Sequence, residues 1–560
     1  MSAIPGAPGT PMNRRSFLQF SAAGIAVAGL GVTVAGCSTE SGPSGTAGGG
    51  TASAGSTAGA APTGPTKLAV ALNGVSGIKT FNQGLAYDGA SWFLGTSIFS
   101  RLVVMDYGPD FAIHPQLADT WEVNDDATMY TFNLVKNAKW HDGEPVTSKD
   151  VKSSYEGFVK YAGPAAAMLR NIESIETPDD YTVVFNMSEP DAALMYGIAT
   201  YPRTPILPAH LYDGTDWTAN EHNLKPIGSG PFKFVSLDST QVVMQRNDDY
   251  FGDKPYITDV VAQFVPEQQT AIEGVKAGQF HCLHTPPALG QITQLRDVGV
   301  KVEAPPGPWM CYLGMNASRS QLANPEVRKA LLYAVNRDDV TAKASGGAGK
   351  AAQNPYVSGI SWAFDPTLSY PSHDPKKAGE LLDAAGFPMK GDSRFGLSLI
   401  VSTAQQFYVD AANVVSAQLA QVGITVDIQQ MDDAAFQAAA PKLKHDLVIY
   451  ALWIGPDPNE WNQLLRTVDA DAGTGFRNWF AYSNKTVDGL FDQGVQFSSQ
   501  DARKEYYNKI AKIVADDLPY IGMFEAPYSF AHTGDFEGFF SQDGTISYRM
   551  DLTKVRPAAK

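Results

Sequence analysis

Leu117-Ala118-Asp119-Thr120-Trp121-Glu122-Val123-Asn124-Asp125-Asp126, with Tyr130-Thr131-Phe132-Asn133-Leu134 and Trp140-His141-Asp142-Gly143-Glu144-Pro145 after it, is the stretch from which the fold can be read. The first run carries a strand into an Asn/Asp turn. Tyr130 to Leu134 alternates apolar and polar side chains, the period of a half-buried strand. Trp140 to Pro145 predicts a tight turn with Gly143 at positive φ. Thr147 or Ser148 then caps a helix.

Outward from this block the chain alternates strand and helix signals. Lys67 to Leu72 is a short apolar strand, Phe81 to Leu94 an irregular loop entering a helix, and Ile98 to Val104 a helix end or strand. Tyr181 to Phe185 is a strand. Leu381 to Phe387 is a helix that stops at Gly386, a C′ residue. Asp446 to Trp453 is a buried-type strand running into Ile454-Gly455-Pro456-Asp457-Pro458-Asn459-Glu460-Trp461. Trp121, Phe132 and Phe232 read as core, Gly228 as a turn glycine with positive φ, and Arg328 and Asp338 as a local pair.

The block from Pro115 to Tyr155 resembles the extracytoplasmic solute-binding proteins of peptide, dipeptide and nickel ABC importers (family 5). That family reads P-x-L-A-x-x-W, then Y-x-F-x-L, then W-H-D-G-x-P-x-T. The likeness continues in Pro205 to Leu211, in Ile227 to Phe232, in Arg246 to Phe251, in Tyr312 to Asn316 and in Val327 to Arg337. It implies an α/β, two-lobed periplasmic-binding-protein-like fold of type II, with an additional subdomain on the first lobe. Residues 67–115, 205–308 and 527–560 would form lobe I, 116–204 the subdomain, and 309–526 lobe II. The crossings would lie near Trp309–Asn316 and Tyr520–Tyr528.

The N-terminus decides where that body works. Arg14-Arg15-Ser16-Phe17-Leu18 leads into an apolar run ending in Val34-Ala35-Gly36-Cys37. A basic start, an apolar middle and small residues before a cleavage point make a secretory signal over 1–36, similar to a twin-arginine signal. The residues before Cys37 resemble a lipoprotein box, so Cys37 is expected to be acylated, tethering the protein to the extracytoplasmic face of a bacterial membrane. Residues 37–66 are almost wholly Gly, Ser, Thr, Ala and Pro, a coil spanning on the order of 30 Å.

Composition bounds the rest. A body of roughly 500 residues is too large for one core and predicts two or three domains. The formal net charge of −16 argues against nucleic acid, which calls for a basic footprint. With Cys37 acylated, Cys282 and Cys311 remain, either a disulfide or two buried thiols. His141-Asp142 lacks a second His at metal-ligand spacing, and Gly346 to Lys350 lacks the first Gly of a phosphate loop. There is no nucleophile elbow. No metal, cofactor or catalysis is expected.

Family peptide binders carry W-x-x-D-Y-x-D-P where this chain has Trp453 to Pro458, and their first Asp captures the peptide amine. Ile454 stands at that position here, and Asp457 matches the second Asp. The resemblance therefore implies a ligand site drawn from Tyr87, Asp88, Asp433, Trp453, Asp457 and Trp461. Tyr87 and the two tryptophans would serve as walls; either an acid takes the ammonium, Asp457 by way of a two-residue deletion or another such as Asp88 or Asp433, or the ligand lacks a free amine. The expected ligand is a peptide or peptide-like solute and the expected partners are the permease and ATPase subunits of an importer, with the protein a monomer. A nickel chelate, an oligosaccharide, a surface hydrolase and a tethered sensor are the alternatives.

Overall fold

Alternating burial builds three large sheets, beside two two-stranded ones, seen in a computed structural model that describes residues 64–86, 88–105, 111–200, 203–303, 309–467, 477–527, 529–539 and 552–559. Tyr87, Cys37, the signal segment and most of the linker lie outside the described residues. The described residues belong to one unit, Pro62–Lys560.

The first sheet has seven strands in the order Lys301–Glu303, Phe530–His532, Cys282–Leu283, Lys67–Asn73, Asp259–Val265, Gln241–Arg246 and Phe232–Leu237. Its central strand, Lys67–Asn73, runs parallel to both neighbours. That strand is buried from Val70 onward apart from its start, as its near-continuous apolar run requires. The second sheet orders Lys350–Ala351, Tyr520–Ala526, Trp309–Met315, Leu447–Trp453, Phe395–Ser402 and Ile424–Met431. The chain passes between these sheets twice, from Glu303 to Trp309 and from Ala526 to Phe530.

A third, antiparallel sheet holds Ala118–Val123, Met129–Leu134, Thr182–Met187 and Ile172–Asp179. Tyr130, Phe132 and Leu134 face inward and their neighbours outward, the alternation expected of this run. Helix Ser148–Tyr161 covers this sheet, with Tyr155 edge-on to Phe185 at 4.8 Å. Its start is capped by Asp150, whose carboxylate accepts from Thr147 N (2.8 Å) and from Ala209 N (2.9 Å).

Five expectations meet the structure directly. Gly386 follows helix Pro375–Ala384 with φ +89°, as a C′ glycine should. Gly143 has φ +103°. Gly228 is required for another reason: a Cβ there would stand 1.9 Å from Ile98 O, so it is close backbone approach that demands glycine. Arg328 does not pair with Asp338; its guanidinium donates to Asp517 O, Leu322 O and Ala323 O, tying helix Pro325–Ala334 to the end of helix Gln500–Asp517. Cys282 and Cys311 are free thiols, each fully buried in a different sheet, and burial pushes both thiols well above their ordinary value.

Candidate functional site

Strand direction singles out a candidate site. In the second sheet Phe395–Ser402, Ile424–Met431 and Leu447–Trp453 are parallel, so Ser402, Met431 and Trp453 end on one edge. The antiparallel strand Trp309–Met315 begins on that edge, and Tyr520–Ala526 ends there. Both crossings leave from it. In the first sheet Lys67–Asn73, Asp259–Val265 and Cys282–Leu283 are parallel to one another, and two antiparallel steps make Lys301–Glu303 parallel to them. Glu303 starts one crossing and Phe530 receives the other, so Asn73, Val265 and Leu283 also end on the crossing edge. Two sheets thus join through their carboxyl ends, where open α/β sheets take ligands.

On the first-lobe edge Asn73 organises the polar groups. Its Oδ1 accepts from His284 Nδ1 (3.0 Å), and its Nδ2 donates to Gln268 Oε1 (3.1 Å) and Thr285 Oγ1 (2.6 Å). On the second-lobe edge Trp453 and Trp309 are register partners, their rings edge-to-face at 5.8 Å. Asp433 opens helix Asp433–Ala439 beyond Met431, is exposed, and accepts from Ser402 Oγ (2.9 Å). Of the residues singled out from the sequence, Trp453 and Asp433 therefore stand at this edge.

The others have local duties. Asp88 caps helix Gly89–Ile98, accepting from Ser91 N and Ser91 Oγ, both at 2.8 Å. Trp461 is fully buried against Tyr356 and Tyr520. Asp457 caps the short helix Pro458–Trp461 and forms a bidentate pair with Arg503 (2.7 and 2.8 Å). Both side chains are almost wholly buried, and Arg503 also donates to Gly494 O and Tyr507 Oη. This carboxylate is matched by the chain's own cation, so it has no charge left for a ligand ammonium. Asp457 thus takes the place of the second Asp of the pattern and not of the amine-capturing first. Its i+3 spacing to Glu460, with a Pro between, is the capping signal that identifies its structural role.

Sequence reading passed over Trp309, Asn73, His284 and Glu460. Trp309 was legible only as the start of a crossing, and the Asn73 group assembles from segments about 200 residues apart. Glu460 folds back over Gly455, whose φ is +54° and whose Cβ would lie 2.4 Å from Glu460 Cγ. Its carboxyl is pushed up to about 7, first by burial and then by Asp457; Gln463 and Arg203 pull it down, and Asp191 raises it further. No cluster of three metal-ligating side chains occurs among the described residues.

Comparison with known proteins gives this geometry a context. Residues 112–474 match the model for bacterial extracellular solute-binding proteins, family 5, and residues 11–31 match a twin-arginine translocation signal. The oligopeptide-binding protein AppA of Bacillus subtilis is 26% identical over 478 residues, covering 82% of this chain and 86% of AppA. A protein of Brucella ovis named as an ABC transporter peptide-binding protein is 30% identical over 463 residues, covering 80% and 84%. The structure of DppA from Helicobacter pylori, solved with the peptide STSA, superposes with a TM-score of 0.71 at 25% identity, covering 88% of this chain and 98% of that one.

Proposed function

The chain belongs to the bacterial extracellular solute-binding proteins of family 5, and from that membership we propose that it captures peptides or peptide-like solutes between its lobes and delivers them, chemically unaltered, to an ABC permease driven by ATPase subunits. The observation that carries the reading is that both crossings run between carboxyl-end sheet edges, one of them bearing the Trp309–Trp453 pair, in a chain whose relatives are named for binding peptides. The tryptophan pair supplies an apolar wall and the Asn73 group supplies fixed dipoles. With Ile454 in place of an acid, Asp433 is the ammonium partner. The twin-arginine signal exports the chain. Cys37 then carries the lipid that holds it at the outer face of the membrane as a monomer.

Native mass spectrometry of the freshly isolated protein tests this. A bound solute of peptide mass should leave on unfolding with that mass unchanged, and Trp453→Ala should be isolated empty but folded. A solute recovered in cleaved form, or a Trp453→Ala protein that retains it fully, contradicts the proposal. Separately, Cys37→Ser should move the protein from the membrane fraction to the soluble fraction; continued membrane association refutes the acyl anchor.

A further inference from the structure

A chain of hydrogen bonds brings carboxyl groups of the second lobe and of the four-stranded subdomain to one seam. On the second-lobe side Arg503 grips Asp457, and its Nε donates to Gly494 O (2.8 Å). The next residue, Val495, accepts from Ala192 N on the subdomain side (3.0 Å). Beside Ala192 stands Asp191, whose carboxylate accepts from Asn171 Nδ2 (3.1 Å) and whose carbonyl accepts from the Tyr130 hydroxyl. Gln500 donates to the Tyr196 hydroxyl across the same seam. Glu460 lies in the short helix that Asp457 caps; its N–H donates to Asp457 O (3.1 Å) and its carboxylate accepts from Gln463 Nε2.

Asp457 and Arg503 cancel one another, which leaves Glu460 and Asp191 as the acids of the seam that burial governs. Burial raises Glu460 first; Asp457 and Asp191 push the same way, while Gln463 and Arg203 draw it down. Burial also raises Asp191 first, with Asp457 adding to it and Asn171, the Ala193 backbone and Arg170 opposing. Arg203 stands over Trp92, 5.1 Å from a ring centroid. The Tyr130 and Tyr196 hydroxyls feel Asp457 and Arg503 from across the seam, and burial raises both. The cations on either side thus leave the cost of burial uncancelled. If the lobes separate, the seam bonds break and water reaches both carboxyl groups, which relieves that cost.

We propose that this seam is a proton-operated latch: Glu460 takes a proton from solvent as the second lobe closes on the subdomain and returns it as they part. The inference goes beyond solute capture and holds whatever the solute is. The folded, closed value of Glu460 is about 7 against an ordinary 4.5, so its support for closure is full below about 4.5 and is lost as pH rises through about 7. Asp191 acts in the same sense from the other side. Mild acidity outside the cell therefore holds the protein shut, and neutrality favours release.

The test reads the distance across the seam with no solute present. Nitroxide labels are placed on Glu156→Cys, exposed in helix Ser148–Tyr161, and on Lys512→Cys, exposed in helix Gln500–Asp517, in the full chain carrying Cys37→Ser. Cys282 and Cys311 are buried beyond the reach of the label. Double electron–electron resonance after equilibration at pH 5.5 and at pH 8 resolves the closed and open populations. The ratio of closed to open should be about tenfold or more higher at pH 5.5. Glu460→Gln, which mimics the protonated acid, should hold the pH 5.5 ratio at both values, and Asp191→Asn should weaken the dependence. An unchanged distribution in the parent, or a full pH dependence in Glu460→Gln, overturns the latch. Should Glu460→Gln fail to fold, Asp191→Asn decides, and an undiminished dependence there overturns it. A final arm adds a pool of di- to penta-alanine. Lobes that move with pH but not with peptide support the latch and reject the peptide reading; lobes that close on peptide but ignore pH overturn the latch alone.

Discussion

Burial sorts the acids of the second lobe into different roles that composition does not distinguish. Asp457 and Arg503 form a closed, desolvated pair. Removing one partner leaves a buried charge, so Asp457→Ala should cost about 3–5 kcal/mol in urea unfolding. Replacing both together, by Leu and Met, should cost less than the single change; a double variant worse than either single one would show that the pair is worth more than its burial. Glu460 behaves in the opposite sense. Its folded value of about 7 lies above its ordinary 4.5, so its contribution to stability is full below about 4.5 and is lost as pH rises through about 7. Because the side chain is partly exposed, that loss is on the order of 2 kcal/mol. Glu460→Gln should therefore flatten the stability profile between pH 5 and 8 relative to wild type, and an unchanged slope would contradict this. At this scale the sequence was least informative. Asp457 and Trp461 have the residue types of a ligand site, but only long-range contacts to Arg503 and Tyr356 show them to be framework.

Local elements were legible because their signals are short-range. The Tyr130–Leu134 alternation, a cap at Thr147 or Ser148 and the Gly386 stop need only a few adjacent residues to be recognised; the alternation and the stop appear as read, and the cap is Thr147. Gly228 shows the limit of such reading. Its turn docks on His141, whose Nδ1 accepts from Gly228 N (3.2 Å) while its Nε2–H meets Gly230 O (3.0 Å). Burial holds this ring neutral, its value pushed down to about 4. The contact that demands glycine comes from Ile98, 130 residues away in the chain, and no local pattern announces it. Gly143→Ala has open space around it and should cost about 1 kcal/mol through its positive φ alone. Gly228→Ala must displace backbone and should cost several times more, to the point of preventing folding. Chemical denaturation of the two variants compares them directly, and similar losses would refute the distinction.

For the whole molecule, the two crossings allow hinge motion, and a second contact region bears on how the closed form is held. Ala192 N donates to Val495 O (3.0 Å), Ser498 N to Asp125 O (3.3 Å), and the Gln500 amide to the Tyr196 hydroxyl. These bonds join the four-stranded subdomain to the segment after helix Lys485–Gly494 and to the start of helix Gln500–Asp517, and they must break if the lobes separate. Gln500→Ala should weaken solute binding by roughly two- to tenfold, chiefly through faster release, as expected for the loss of one net hydrogen bond. Surface plasmon resonance reads this, and an unchanged release rate would mean that the contact persists in the open form. The likeness of ordered segments over most of the body made the two-lobed architecture readable in advance, whereas this contact joins residues more than 300 apart and carries no sequence signal. The most direct test of the account is small-angle X-ray scattering on the protein stripped of bound solute, before and after addition of a mixed tri- to pentapeptide pool. Two hinged lobes closing on a peptide predict a smaller radius of gyration with peptide and a return to the larger value on its removal. A radius that stays the same at saturating peptide would contradict the account.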